Sequence, residues 1–138
     1  MTLKIPHCTR SARFWGIALL FWFIILNILS HGDRAVQALD FFGFDIPHLD
    51  KILHFGYFFG GGSLFAAALF FRSSPSPSPW LKIILIVTIT LSIVGIWDEF
   101  HQSFFENRSG NDPGDWAADT LGALCGSLLF RALHRVLL

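Results

Sequence analysis

Charged side chains are few. Asp, Glu, Lys and Arg together make up 14% of the 138 residues, against about 25% in an ordinary soluble domain. A surface that faces water on all sides is therefore excluded. The ten acidic and ten basic residues also cancel to a formal net charge of zero, so overall balance supplies no basic face for nucleic acid or for an anionic surface. Cysteine is limited to Cys8 and Cys125. The topology argued below sets Cys8 in the cytoplasm and Cys125 at mid-membrane, which excludes a disulfide between them. No internal repeat is present, and HExxH, GxSxG and phosphatase-like signatures are all missing. Linear motifs thus predict no metal, no cofactor and no recognised catalytic centre.

Apolar bulk takes the place of charge. Hydrophobic residues reach 53%, including sixteen Phe and five Trp, and mean hydropathy is +0.55. At this length one domain covering residues 1–138 is expected, and the composition predicts an integral membrane protein. Four stretches approach the roughly 20 apolar residues that a bilayer crossing needs, at about 14–30, 52–71, 80–104 and 113–134. The third has Trp80 and Trp97 at the ends of its apolar run, as expected of interfacial anchors. The fourth is the least pure, because Asp119 lies within it and Arg131 near its end. The expected fold is all-α, a four-transmembrane-helix bundle.

Orientation follows from the basic residues. Lys4, Arg10, Arg13, Arg72, Lys82, Arg131 and Arg135 fall on one side of the spans, and Arg34, Lys51 and Arg108 on the other. The positive-inside rule then places both termini in the cytoplasm. All ten acids fall on the opposite, outer side, although that rule does not use them. The basic start and first apolar run also resemble a secretory signal, but no A-x-A site follows, so the first span is expected to be retained. Residues 35–49 mix aromatics with acids and are too short and too charged to cross, which predicts an interfacial or partly re-entrant segment. Ser73 to Trp80 (SSPSPSPW) cannot continue a helix and reads as a stiff cytoplasmic connector.

Charge is concentrated from Trp97 to Asp119, WDEFHQSFFENRSGNDPGDWAAD. Asp112 followed by Pro113 predicts an N-cap with proline at the first helical position, and Asp115 suits the first turn. Asp119 lies too deep to cap anything, and an ionisable residue inside a span marks a functional or paired position. Asp98 and Glu99 sit at the C-terminal end of the third span, where the helix dipole disfavours anions. Compensation is expected from Arg108, Lys51, His54 or His101. Asp50 is expected at or near the next helix start. Asp50 and His54, like Asp98 and Gln102, are four residues apart and share a helical face. Small residues in the second span (Gly56, Gly60, Gly61, Gly62, Ser63) and fourth span (Gly122, Gly126) predict close backbone packing. Such packing would bring His54 and Asp119 toward one region.

Two blocks, DKILHFGYFFGGGSL (Asp50 to Leu64) and DEFHQSFFENRSGNDPGDWAADTLGALCG (Asp98 to Gly126), resemble the signature blocks of the VanZ-like family of bacterial membrane proteins. The matching positions are Asp50, Lys51, His54 and Phe55, then Asp98, Glu99, Gln102, Arg108, Asp115 and Gly122. Asp119 stands where many members carry Asn. The resemblance implies a multi-pass protein of the bacterial cytoplasmic membrane. It also implies a link to tolerance of teicoplanin, a lipophilic glycopeptide that acts on the envelope precursor lipid II.

Three functional classes are consistent with these residues. In the first, Asp50, Lys51, His54, Asp98, Glu99, Gln102, Arg108, Asp115 and Asp119 form an outward-facing polar pocket. Its partner would be a membrane lipid, a lipid-linked envelope precursor or a glycopeptide-related ligand. The second is a membrane-embedded hydrolase or transferase acting on a lipid-linked substrate. In the third, the charges are an ion-pair latch in a structural subunit.

Overall fold

A computed structural model of the chain describes residues 10–30, 47–73, 79–104 and 110–137. It is all-helical, with no strand among the described residues. Four long helices follow in order: α1 (Ala12–Ser30), α2 (Leu49–Arg72), α3 (Trp80–Gln102) and α4 (Pro113–Leu133), the last continuing into a 3-10 turn (His134–Leu137). The acid-rich segment 35–46 and most of the Ser-Pro connector lie outside the described residues, as does Arg108.

The helix limits follow local chemistry. α4 starts where expected: Asp112 is the N-cap, its side chain accepts the Gly114 N–H at 2.7 Å, and Pro113 opens the helix. α2 starts at Leu49, beside the Asp50 expected at or near its start and three residues ahead of the apolar run. His48 takes a left-handed conformation (φ 56°) as its N-cap, so Asp50 lies in the first turn, where a carboxylate suits the dipole without capping. At the other end of α2, the Ser73 N–H bonds Leu69 O and Phe70 O. Pro79 then precedes α3.

Residue pairings fix the topology. Lys51, His54 and Ser63 of α2 meet Asp115, Asp119 and Gly126 of α4 in the same order, so these two helices run parallel. α3 runs against them, with Glu99 at the Asp112 end and Trp80 beside Phe130 and His134. α1 also runs against α2, with Trp15 near Phe130 and Trp22 near Phe58. The first and last described residues are therefore at one end of the bundle, and the carboxylates at the other.

The largest contact is between α2 and α4, and absence of side chains makes it close. A Cβ on Gly122 would strike Phe55 O, one on Gly126 would strike Phe59 O, and one on Gly62 would strike the Ala123 backbone. Ser63 Oγ donates to Gly126 O at 3.0 Å across the interface. The glycines of α2 do not all serve this contact. Gly61 instead receives the Trp22 ring of α1, and Gly56 faces open space. Phe58, Ala66, Ala67, Val87 and Ala123 are fully buried at the centre.

α1 is held mainly through Trp22 and Leu26. Trp22 Nε1 donates to Tyr57 O at 2.7 Å, while Ile17, Leu20, Phe21, Ile25 and Ile28 face outward. Trp22→Phe is expected to lower stability in detergent by about 1 kcal/mol, the net value of one hydrogen bond, as read by thermal unfolding.

α1, α2 and α3 are each long and apolar enough to cross a membrane. α4 is not among them, although its 21 residues extend about 31 Å. Its composition is diluted by Asp115, Asp119, Arg131 and small residues. Asp115, Asp119 and Ser127 are buried against neighbouring helices, while Leu121, Leu128, Leu129 and Leu133 form an apolar outer face.

Candidate functional site

Parallel packing of α2 and α4 brings two helix N-termini together, and antiparallel α3 adds its C-terminal turn. Lys51, in the first turn of α2, has the wrong sign for the positive end of a helix dipole. Three carboxylates offset this. Lys51 Nζ lies 2.7 Å from Asp112 Oδ2, 3.0 Å from Asp115 Oδ1 and 3.2 Å from Asp50 Oδ2. The Lys51 ammonium, aided by the Gly114 N–H, holds the Asp112 carboxyl below the usual carboxylate range. Asp115 is buried, whereas the Asp50 side chain is 44% exposed.

One turn deeper, His54 Nδ1 lies 2.9 Å from Asp119 Oδ1. Asp119 is fully buried, and a Cβ on Gly95 of α3 would come within 2.7 Å of its Oδ2. Gly95 thus leaves the space that this carboxylate occupies. The other face of His54 is turned to α3, with Nε2 3.9 Å from Glu99 Oε1. Glu99 Oε2 accepts the Asp112 N–H at 2.8 Å, and Glu99 O accepts the Asn111 N–H at 3.3 Å. Asn111 adopts a left-handed turn (φ 64°) just before the cap, a conformation that Asn tolerates better than most residues. One glutamate therefore ties the last turn of α3 to the N-cap of α4 and the residue before it.

Asp98 is met by an amide, since Gln102 Nε2 donates to its Oδ2 at 2.8 Å within α3. A small clasp lies further along α3: Thr120 Oγ1 donates to Ser92 Oγ at 2.9 Å, and Trp116 Nε1 to Ser92 Oγ at 3.0 Å. Asp50, Lys51, His54, Asp98, Glu99, Gln102, Asp115 and Asp119 thus all occur at one end of the bundle. Asp50 and His54 are not bonded to each other, because Asp50 turns to Lys51 and His54 to Asp119.

A protein-family model described as VanZ/LLP1 matches residues 8–134, nearly the whole chain. The chain belongs to the VanZ/LLP1 family. No curated protein and no solved structure matches it. This VanZ/LLP1 member is a membrane protein with apolar helices, and its two signature-like blocks are the segments that meet at the carboxylate-rich end.

Asp112, expected only to cap α4, is also the nearest partner of Lys51, a role that sequence reasoning missed. The available signal was a lysine in the first turn of a helix, which calls for nearby anions. Gly95 and Ser92 were missed as well, and a lone Gly and a lone Ser in an apolar run carry no such signal. Of the cations proposed to offset Asp98 and Glu99, His54 approaches Glu99 at 3.9 Å, and Lys51 is committed to Asp50, Asp112 and Asp115.

Proposed function

We propose that this VanZ/LLP1 protein is a multi-pass component of the bacterial cytoplasmic membrane that binds the headgroup of an envelope lipid in its polar cluster. Both termini are cytoplasmic in this reading and the cluster opens outward. Four crossings agree with the alternation of helix directions and with the apolar outer face of α4. The supporting observation is an excess of acceptors. Six carboxylates (Asp50, Asp98, Glu99, Asp112, Asp115 and Asp119) gather with Lys51 as the only Lys or Arg among the described residues at that end. Carboxylates take hydrogen bonds from hydroxyl and ammonium groups. A donor-rich headgroup, such as the sugar or peptide amine of a lipid-linked envelope precursor, suits them better than a bare phosphodiester. The family name adds a link to teicoplanin-type tolerance, since a protein that sequesters such a precursor or a lipophilic glycopeptide would alter sensitivity.

The latch reading draws support from the internal pairing of Lys51, which contents three of the six carboxylates. It leaves Glu99 Oε1 and Asp119 Oδ2 buried without hydrogen-bond partners among the described residues. The hydrolase or transferase reading would draw its nucleophile from water activated by His54 or a carboxylate, since no hydroxyl or thiol bonds His54 among the described residues.

Melting curves of the detergent-purified protein separate these readings. A lipid-linked aminosugar precursor should raise the melting temperature by several degrees more than phosphatidylglycerol does, and Asp115→Asn should remove the difference. Equal, small shifts for every lipid sink the headgroup reading. In a variant lacking the native cysteines, Glu106→Cys should react with an impermeant thiol reagent added outside whole cells.

A further inference from the structure

We propose that His54, Glu99 and Asp115 form a binding site for a single divalent cation of the zinc or manganese class, with Asp119 as the residue that orients His54. One side chain comes from each of α2, α3 and α4. All three are buried, and their ligand atoms lie within 4.8 Å of one another.

The histidine is prepared for this role. Asp119 Oδ1 at 2.9 Å accepts a proton carried on Nδ1, which leaves the lone pair on Nε2, the nitrogen that faces Glu99. Histidines that bind metals are commonly held by a carboxylate on their second nitrogen in this way. Glu99 supplies the independent observation. Its side chain is only 5% exposed, one oxygen is taken by the Asp112 N–H, and the other, Oε1, is buried with no hydrogen-bond partner among the described residues. That oxygen points at His54 Nε2 from 3.9 Å, too far for a direct hydrogen bond. An ion about 2.1 Å from each atom in tetrahedral geometry sets its ligand atoms about 3.4 Å apart. The 3.9 Å spacing of His54 Nε2 and Glu99 Oε1 closes with about half an ångström of side-chain movement, and a spacing at the 4.8 Å limit closes with rather more than about 1 Å.

Charge favours the same assignment. The six carboxylates at this end meet one ammonium among the described residues, and that ammonium is engaged by Asp50, Asp112 and Asp115. These three acids are themselves close enough to hold an ion, but Lys51 already occupies the space between them. The deeper trio meets that ammonium only at Asp115 Oδ1, 3.0 Å from Lys51 Nζ, while His54 and Glu99 have no contact with it among the described residues. One imidazole nitrogen with carboxylate oxygens suits zinc or manganese better than calcium or magnesium, which prefer all-oxygen shells. Linear motifs predict no metal because these ligands come from three separate helices. Two apolar grooves, about 300 and 330 Å³, are lined by residues such as Trp15, Leu129, Phe23 and Val94 and offer no comparable cluster of ligand atoms.

The proposal goes beyond the headgroup reading and is tested without lipid. Full-length protein purified in detergent without chelators should carry about one zinc or manganese per chain by elemental analysis. After chelator treatment, ZnCl₂ or MnCl₂ should restore the ion and raise the melting temperature, and cobalt(II) should give a visible spectrum of a nitrogen and oxygen site. Glu99→Gln and Asp115→Asn should lower metal content to background with helical circular dichroism retained. Asp119→Asn should keep the site but weaken it by about 10- to 100-fold. Wild-type protein without metal, unshifted by either salt and silent with cobalt, overturns the proposal, and it does so even where the variants do not fold. So does loss of the ion in Asp50→Asn but not in Glu99→Gln, which would move it to the exposed acids. Lipid-dependent stabilisation in metal-free protein would leave the headgroup reading standing alone.

Discussion

Gly126→Ala is expected to lower the stability of the folded protein by about 3 kcal/mol, the upper end of the cost of overpacking. The added methyl would strike the carbonyl of Phe59, a backbone atom in the middle of α2 that no rotamer change can move. Relief requires α2 and α4 to separate. Separation costs the Ser63 Oγ to Gly126 O bond and draws His54 away from Asp119. Against a typical stability of about 5–15 kcal/mol the loss is large, and Gly126→Leu should give no folded protein. The opposite sign is expected at Gly16 and Gly56, where an added Cβ meets nothing within 4 Å. Alanine there should stabilise by up to about 1 kcal/mol through helix propensity. Thermal unfolding of the three alanine variants in one detergent reads both signs. A Gly126→Ala protein that melts with the wild type would show that α2 and α4 are not in backbone contact.

Lys51→Met should cost about 2–3 kcal/mol. It leaves the buried Asp115 facing Asp112 and Asp50 with no cation between them. Removing one member of a buried pair costs about 3–5 kcal/mol. The lower figure reflects solvent reaching Lys51, whose side chain is 31% exposed. Repulsion should loosen the first turns of α2 and α4 together. Asp115→Asn in the same chain should recover part of the loss, because it removes the carboxylate left unpaired. The two substitutions therefore combine to less than the sum of their separate effects. Strict additivity in the double-mutant cycle would mean that the 3.0 Å Lys51–Asp115 contact contributes nothing.

What could be read from the chain depended on how local the cause was. Apolar runs marked all four helices, and Asp112-Pro113 marked the α4 cap, because both signals act within a few residues. Small residues in α2 and α4 also predicted that His54 and Asp119 would approach, which needs only a close helix pair. Two of the three partners of Lys51, Asp112 and Asp115, were out of reach. They lie 61 and 64 residues away, and the pairing depends on α2 and α4 running parallel in register. Nor did small residues reveal which partner each would face. Gly61 and Gly62 are adjacent, yet one receives an indole from α1 and the other the backbone of α4. Arg108, assigned from sequence to the carboxylates, lies outside the described residues. The mean apolarity of α4 is low because hydropathy averages over faces, and its buried face carries Asp115, Asp119 and Ser127 while Leu121, Leu128, Leu129 and Leu133 face outward.

The opposite end of the bundle is fastened by rings. Phe70 stacks on Trp80 at 5.2 Å and meets Phe130 at 5.9 Å, and Trp80 lies 4.7 Å from His134. α2 and α4 are thus joined by aromatic contact at one end and by ions at the other. Salt screens the ionic join but has no comparable hold on the aromatic one. Mechanically the pair resembles tongs, with the fulcrum at Phe70, Trp80 and Phe130 and the jaws at Lys51 and Asp115.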